Sequence, residues 1–167
     1  WMEPEDALKK KQHPIALLIL STGNSGKSWD LDTASIFGRM TKAMFFPDRS
    51  SLGVFQFDDS FEYPGEVFHL GVKKGERIYR EKRNLPIDVL ISKSGSVYLA
   101  VIESPIELRG VPIPGRVRVL NAAGTDFQWK EIAVDYRATA NQVSLTEKSD
   151  GSVWAVTDSG MILELRK

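Results

Sequence analysis

Residues 14–33 read PIALLILSTGNSGKSWDLDT. A short apolar run ends in a polar turn that contains Gly26, and from Trp29 onward every second residue is an aspartate up to Asp32. Short apolar runs bounded by Pro and Gly are typical of buried strands, and alternation with a period of two is typical of a strand with one buried face. The segment therefore predicts a β-hairpin whose second strand packs one face, including Trp29, on a core.

The same turn partly matches a phosphate-binding loop, G-x-x-x-x-G-K-[ST]. Residues 26–28 supply the end of this motif, but Ser21 stands where the first glycine belongs. A phosphate loop must also open a helix, because the helix N-terminus holds the phosphates. Here a strand-like alternation with two aspartates follows, and their charge would repel a triphosphate. Nucleotide binding at residues 21–28 is therefore a minor alternative.

The composition excludes several classes of function. The 167 residues contain 22 Lys+Arg and 22 Asp+Glu, so no excess of basic residues indicates a nucleic-acid partner. The chain has no cysteine, which excludes disulfides and thiol chemistry, and its two histidines, His13 and His69, are too few for a His-based metal site. We predict no cofactor, no metal and no membrane span, since the longest apolar run is far shorter than the roughly 20 residues a span needs.

The rest of the chain predicts an all-β fold. Residues 1–13 are polar and predict a tail or a short helix that ends before Pro14. Residues 14–167 contain strand-like runs separated by Gly and Pro, without a helical period, and are assigned to a single domain. Residues 35–40 are predicted to be a connection, and the heavily charged residues 77–83 are predicted to be at most an edge strand.

An internal repeat narrows the fold class. DVLISKSGSVYLAV at 88–101 resembles QVSLTEKSDGSVWAV at 142–156, and AMFFPDRSSLGVFQF at 43–57 is a looser copy. Gly95 and Gly151 supply the positive φ that a tight hairpin requires. Repetition at roughly 40 to 55 residues, with about four strands in each unit, is typical of β-propeller blades. The predicted fold is a partial or small β-propeller of four-stranded antiparallel blades, and a β-sandwich is the alternative.

The polar turn also matches an Asp-box, [ST]-x-[DN]-x-G-x-[ST]-[WFY], through Thr22, Asn24, Gly26, Ser28 and Trp29. A short acceptor side chain at position 24 can accept hydrogen bonds from N–H groups of its own turn, and Trp29 can pack on a blade core. Over residues 22–55 the chain resembles Asp-box (BNR) repeat propellers, such as sialidases and propellers of the photosystem II assembly-factor type. AAGTDFQW at 122–129 keeps the tryptophan but lacks the glycine.

The resemblance implies a strand order and a compartment. In such propellers the box joins the third and fourth strands of a blade and is structural. The N-terminus would then supply the last two strands of a blade, two fuller blades would follow, and three strands would end the chain. This amounts to roughly three to four blades. Further blades or a second copy would complete the ring, and the resemblance favours a periplasmic or secreted location.

An enzymatic role is not predicted. The resemblance to sialidases would require an arginine cluster for the substrate carboxylate and a tyrosine nucleophile. The Arg-Ile-Pro signature of that family is missing, because Tyr79 follows Arg77-Ile78 and Arg109 stands in LRGVPIP. We predict a non-enzymatic protein-binding, assembly or inhibitor module, with a glycan-binding or glycoside-hydrolase-like propeller as the alternative.

Two loops are the candidate partner contacts. The loop DDSFEYPG carries acidic and aromatic side chains, namely Asp58, Asp59, Phe61, Glu62 and Tyr63. The insertion at residues 104–115 is stiffened by three prolines, which lowers the cost of ordering it on a partner. Its candidate contact residues are Ile106, Leu108, Arg109, Val111 and Ile113. The alternatives are a solvated loop for the first and packing across the edge of a blade for the second.

Overall fold

The computed structural model describes residues 14–48, 50–57, 62–71 and 75–166. Among these residues every regular secondary-structure element is a β-strand, and every strand pairing is antiparallel. The all-β class predicted from the sequence is therefore confirmed. The prediction for residues 1–13 lies outside the described residues.

The strands form a hairpin, a ribbon and three larger sheets. The N-terminal hairpin pairs β1 (Pro14–Ser21) with β2 (Asp30–Phe37). Sheet I is a meander of β3 (Arg39–Phe45), β4 (Ser51–Gln56), β5 (Gly65–Leu70) and β6 (Glu76–Arg80). Sheet II consists of β7 (Asn84–Ile91), β8 (Ser96–Glu103), β11 (Val117–Ala123) and β12 (Lys130–Ile132). The ribbon, β9 (Ile106–Leu108) with β10 (Val111–Ile113), is inserted between β8 and β11. Sheet III is formed by β13 (Val143–Glu147), β14 (Val153–Thr157) and β15 (Ile162–Leu165).

Sheet II is buried on both of its faces. On one face Leu99 shares a hydrophobic core with Val54 of sheet I. On the other face Ala100 and Val119 share a second core with Leu145 of sheet III. Neighbouring residues of a strand point to opposite faces of the sheet, so Leu99 and Ala100 serve different cores. The three sheets are therefore stacked face to face in chain order, as three layers.

A buried carboxylate lies where the first strands of the three sheets meet. Asp88 of β7 accepts the N–H of Leu145 in β13 at 2.8 Å, and its other oxygen pairs with the ammonium of Lys42 in β3 at 2.9 Å. A bulge between Pro86 and Asp88 shifts the register of β7 at this point. Because isolated buried charges are unfavourable, the two partners allow Asp88 to lie in the interior.

The first two strands of each sheet are joined by the same turn. In residues 46–50, 92–96 and 148–152, the first N–H donates to the last carbonyl at 2.8, 2.8 and 2.9 Å. Gly95 and Gly151 have φ values of 81° and 83°, in the left-handed region that favours glycine. The three similar sequence segments therefore form three similar hairpins, and the internal repeat is confirmed at the level of antiparallel strand pairs.

The N-terminal hairpin repeats the register of β11 and β12 at an offset of 100 residues (21 to 121, 30 to 130). The matching cross-strand pairs are Ser21–Asp30 with Asn121–Lys130, and Leu20–Leu31 with Leu120–Glu131. The eight-residue turns 22–29 and 122–129 thus join strand pairs of the same geometry. The hairpin therefore has the register and the turn length of the strand pair β11–β12 in sheet II.

The connection predicted at residues 35–40 is wrong. β2 continues to Phe37, β3 begins at Arg39, and Gly38 alone separates them. Gly38 has a φ of 89°, and a Cβ at this position would collide with the carbonyl of Gln56, so a single glycine suffices to turn the chain. The edge-strand prediction for the charged segment is confirmed, because β6 is an outer strand of sheet I.

Candidate functional site

The ribbon presents one continuous apolar face. Its cross-strand pairs are Leu108 with Val111 and Ile106 with Ile113. Because side chains alternate along a strand, these four lie on one face and Glu107 lies on the other. Ile106, Leu108 and Val111 are each more than half exposed, and Ile113 is half-buried. The alternative expectation, in which the insertion packs across the edge of a sheet, is therefore wrong for three of its four apolar residues.

The tip of the ribbon is a tight turn. Arg109 and Gly110 have φ values of 53° and 78°. Positive φ at both central residues is the geometry of the type I′ turn, whose twist matches that of the flanking strands. Arg109, a candidate contact residue, thus lies at the outermost point of the ribbon.

The base of the ribbon is fixed to sheet II. Arg116 pairs with Glu103 at 3.0 Å, and the Glu103 N–H donates to the Arg116 carbonyl at 3.0 Å. Gly115 is buried, and a Cβ there would collide with the Glu103 carbonyl, so the stems can approach closely only with glycine. The exposed face therefore projects from a well-defined base.

The acidic and aromatic loop is described only at its end. Asp58, Asp59 and Phe61 lie outside the described residues. Glu62 is exposed and pairs with Lys82, and the ring of Tyr63 lies under the Arg80 guanidinium at 4.0 Å from its centroid. These contacts join the end of the loop to β6 and the turn that follows it.

The two arginines of β6 form ion pairs within sheet I. Arg77 and Arg80 both contact the nearly buried carboxylate of Glu66 at 3.3 Å. Together with Tyr63 and Tyr79, these arginines line a shallow, open concavity. Arg109 lies on a separate element, so the arginines singled out in the sequence do not meet in one cluster.

The turn at residues 22–29 is held by its own side chains. Asn24 Oδ1 accepts the Ser28 N–H at 2.8 Å, and Thr22 Oγ1 accepts the Gly26 N–H at 2.9 Å. Ser25 and Gly26 both have positive φ, 57° and 86°. β2 follows the turn directly, so the helix N-terminus that a phosphate loop requires is not formed here.

The predicted packing of Trp29 on a core is wrong. The side chain of Trp29 is 57% exposed, and Leu31 on the same strand pair is exposed as well. Its counterpart Trp129 is half-buried, packs beside Tyr79 and donates its indole N–H to the Ile78 carbonyl at 2.8 Å. The physical reason is the neighbouring layer: sheet I lies against Trp129, whereas no described layer lies against Trp29.

A polar network at the junction of sheets I and II was missed by sequence reasoning. The largely buried Arg118 guanidinium donates to Glu131 at 2.9 Å, Glu81 at 2.9 Å and Asn84 at 3.2 Å. The hydrogen bond with Glu131 leads the causes that raise the pKa of Arg118, and burial raises the pKa of Tyr79, whose hydroxyl donates to Glu81. Every charge in the network has a partner, so its role is structural.

Sequence reasoning also missed Asp88. It is the one charged residue in NLPIDVLI, the sequence of an otherwise apolar strand, and this was the signal that could have found it. Its two oxygens contact the Leu145 N–H and the Lys42 ammonium, so the role that these contacts support is a structural one.

The described part of the chain contains no group of three His, Asp or Glu side chains placed to hold a metal ion. His69 is buried between the rings of Phe46 and Phe127, at centroid distances of 5.7 and 5.3 Å. The same described residues include no helix with the length and hydropathy that crossing a bilayer requires.

No protein-family model matches the chain, and neither the characterised proteins nor the solved structures contain a detectable relative of it.

Proposed function

We propose that this protein is a non-enzymatic binding or assembly module that contacts a protein partner through the apolar face of the ribbon. One observation carries the proposal: Ile106, Leu108 and Val111 form a contiguous exposed face on a projecting element with a fixed base. Scattered single apolar residues are common on protein surfaces, but contiguous exposed patches indicate interaction sites. An inhibitor protein would use such a ribbon in the same way.

The face is large enough to contribute measurably to binding. Fully burying a Val, Leu or Ile side chain is worth about 1.5–3 kcal/mol, so burying the exposed halves of three contributes about 2–4 kcal/mol. A contribution of about 1.4 kcal/mol changes the dissociation constant tenfold. The tight turn and the fixed base reduce the ordering cost that a flexible loop would have on binding.

The scaffold is proposed to be a partial β-propeller built from Asp-box blades. Three features support this: the sheets stack face to face in chain order, their first strands meet around Asp88, and the N-terminal hairpin repeats the register of β11 and β12. A two-layer sandwich would leave one face of each sheet to solvent, whereas sheet II is covered on both faces. The hydrogen bonds of Asn24 and Thr22 support the Asp-box assignment of their turn.

A glycan ligand has less support. The concavity beside β6 offers an aromatic ring and guanidinium groups, as a sugar-binding site would. However, Arg80 already covers the ring of Tyr63, and Arg77 shares its carboxylate partner with Arg80. A substrate carboxylate would have to displace Glu66 from both arginines, so we place the glycan-directed function second.

The ribbon is tested by comparing three forms of the chain as affinity baits. The test variant carries Ile106→Ser, Leu108→Ser and Val111→Ser. The control carries Phe45→Ser, which changes an exposed apolar residue on sheet I, away from the ribbon. We expect a protein that is retained by the wild type and the control but lost by the test variant. The purified partner is then titrated against all three forms, and the test variant should bind at least about tenfold more weakly.

A partner that binds the test variant with unchanged affinity would show that the ribbon is not the contact. Binding or turnover of sialosides or other glycosides by the wild type, abolished by Arg77→Ala, would instead favour the glycan-directed alternative.

A further inference from the structure

The stack of sheets uses one kind of contact repeatedly. In sheet I, Val54 lies opposite Val67, and both are fully buried beneath sheet II. In sheet II, Ala100 lies opposite Val119, and both are fully buried in the core shared with sheet III. The side of a sheet that carries such a pair is called its back face, and the opposite side its front face. Each back face is covered by the front face of the next sheet.

Sheet III has the same pair, and nothing in the described part of the chain covers it. Val156 lies opposite Ile162, and these side chains are 40% and 63% exposed. Trp154, two residues before Val156 on the same face, is half-buried, and the Lys148 ammonium lies 4.4 Å from its ring centroid. The back face of sheet III therefore carries the same kind of apolar pair as the two covered faces, and no layer among the described residues covers it.

The N-terminal hairpin has the opposite arrangement, an exposed front face. Leu120, the counterpart of Leu20 at the offset of 100 residues, belongs to the core that the front face of sheet II forms with sheet I. The face of the hairpin with Leu20 and Leu31 therefore corresponds to a front face, and the exposed Trp29 corresponds to Trp129, which contacts the preceding sheet. All three side chains are more than half exposed.

We propose that the front face of the hairpin in one copy of the chain packs on the back face of sheet III in a second copy. The two described cores between layers each join a front face to the preceding back face. The hairpin offers such a front face, sheet III offers such a back face, and within the described part of one copy both of them are exposed. The proposal rests on the repeated packing of the layers and is independent of the role of the ribbon.

Two equal contacts of this kind close a two-fold assembly. Each copy gives its hairpin to the other and receives the other's hairpin, so the arrangement closes and does not grow into a filament. One hairpin and three sheets from each copy make about eight layers, which is within the range of four to eight blades found in closed propellers.

The experiment measures mass in solution by light scattering and sedimentation. At about 100 μM, where a contact of micromolar Kd is well populated, the wild type should have twice the mass of the 18.7 kDa chain. Ile162→Lys and Leu20→Glu each place a charge in both contacts of a two-fold assembly and should each return the mass to that of one chain. Both positions are exposed, so neither change disturbs a core of the single copy.

A mixture of the two variants tests whether the hairpin and sheet III contact each other directly. In a mixed pair one contact joins the new lysine to the new glutamate and the other contact is wild type, so the doubled mass should return. Leu108→Lys, an equally exposed position on the ribbon, is the matched control and should keep the doubled mass. If the control fails to bind a protein partner but still associates with itself, the two proposals are separated.

A wild-type chain that stays at the mass of one copy overturns the proposal, and another occupant then covers sheet III. A doubled mass that survives either single charge, or a mixture that does not reassociate, also overturns it, because the two copies would then meet through other faces.

Discussion

Trp29 and Trp129 occupy the same position in two strand pairs of identical register, and only one of them is packed. Trp129 lies against sheet I and donates a hydrogen bond to the Ile78 carbonyl, whereas Trp29 is mostly exposed. The local patterns are alike, since each tryptophan ends an eight-residue turn before the outer strand. The difference teaches that the turn positions the ring, and the presence of a preceding layer decides whether the ring is buried.

The comparison extends from one side chain to the whole layer. Sheet II is tied to its neighbours by two hydrophobic cores, by the Arg118 network and by Asp88. The described residues of the hairpin show hydrogen bonds between its own strands and within its own turn. We therefore expect sheets I–III to unfold as one cooperative unit and the hairpin to open at a lower free energy.

The largest effect is expected at Asp88. Asp88→Ala leaves the Leu145 N–H without its acceptor and Lys42 without its partner where three sheets meet. The N–H of Val89 loses the same acceptor, and each buried donor left unsatisfied costs about 1–3 kcal/mol, so the free energy of unfolding should fall by about 2–5 kcal/mol. Denaturant titration measures the change, and Asp30→Ala in the hairpin is the control, with a change within about 0.5 kcal/mol. Equal losses of unfolding free energy at the two positions would contradict the expectation that the hairpin opens at a lower free energy than sheets I–III.

The two tryptophans themselves are the next test. Trp129→Ala removes a half-buried ring and a hydrogen bond to β6, and should cost about 2–3 kcal/mol, below the range for a fully buried aromatic. Trp29→Ala should change the stability of a single copy by less than about 0.5 kcal/mol. The measurement is thermal or denaturant unfolding at a concentration low enough to keep copies apart. A large loss in Trp29→Ala under those conditions would show that the ring is buried in the single chain after all.

These two residues also mark what the sequence could and could not predict. The strands, the turns at Gly95 and Gly151, and the repeat follow from alternation and from glycine geometry, which are local properties. The burial of Trp29 is not local, because it depends on whether another layer lies against the ring, and the residues of the turn do not determine this. Asp88 has the same character: its acceptor role is defined by the N–H of Leu145, 57 residues away in sequence.

The ribbon lies between these cases. Its apolar residues were identified from the sequence, but alternation alone left open whether they pack on a sheet or face solvent. The two-residue turn at Arg109-Gly110 fixes the register, and the register places the four apolar side chains on one face. Where that face points is decided by the base at Gly115 and Arg116, which again is a tertiary contact.

A smaller effect is expected from the turn of the hairpin. Gly26→Ala introduces a Cβ at a φ of 86°, which should cost about 1–2 kcal/mol in local stability. Gly26→Asn should cost less, because asparagine adopts positive φ more readily than alanine. Hydrogen exchange of β1 and β2 amides should quicken in the alanine variant while the amides of sheets I–III keep their rates. Uniform quickening across all sheets would mean that the hairpin belongs to the cooperative unit.

The smallest effect is a dependence of stability on pH that comes from Glu131 of sheet II. Glu131 stands where the hairpin has Leu31, and its hydrogen bond from Arg118 holds the pKa of Glu131 below the ordinary 4.5. A lowered folded-state pKa stabilises the fold above the unfolded value, and this stabilisation is lost as pH falls through the folded one. Because the Glu131 side chain is 44% exposed and solvent screens its charge, the loss should be below about 1 kcal/mol. Glu131→Gln should therefore reduce the stability difference between pH 7 and pH 3 by that small amount, measured by denaturant unfolding at both values. If the difference in stability between the two pH values were unchanged in the variant, the Arg118–Glu131 pair would not stabilise the pairing of β12 with β11.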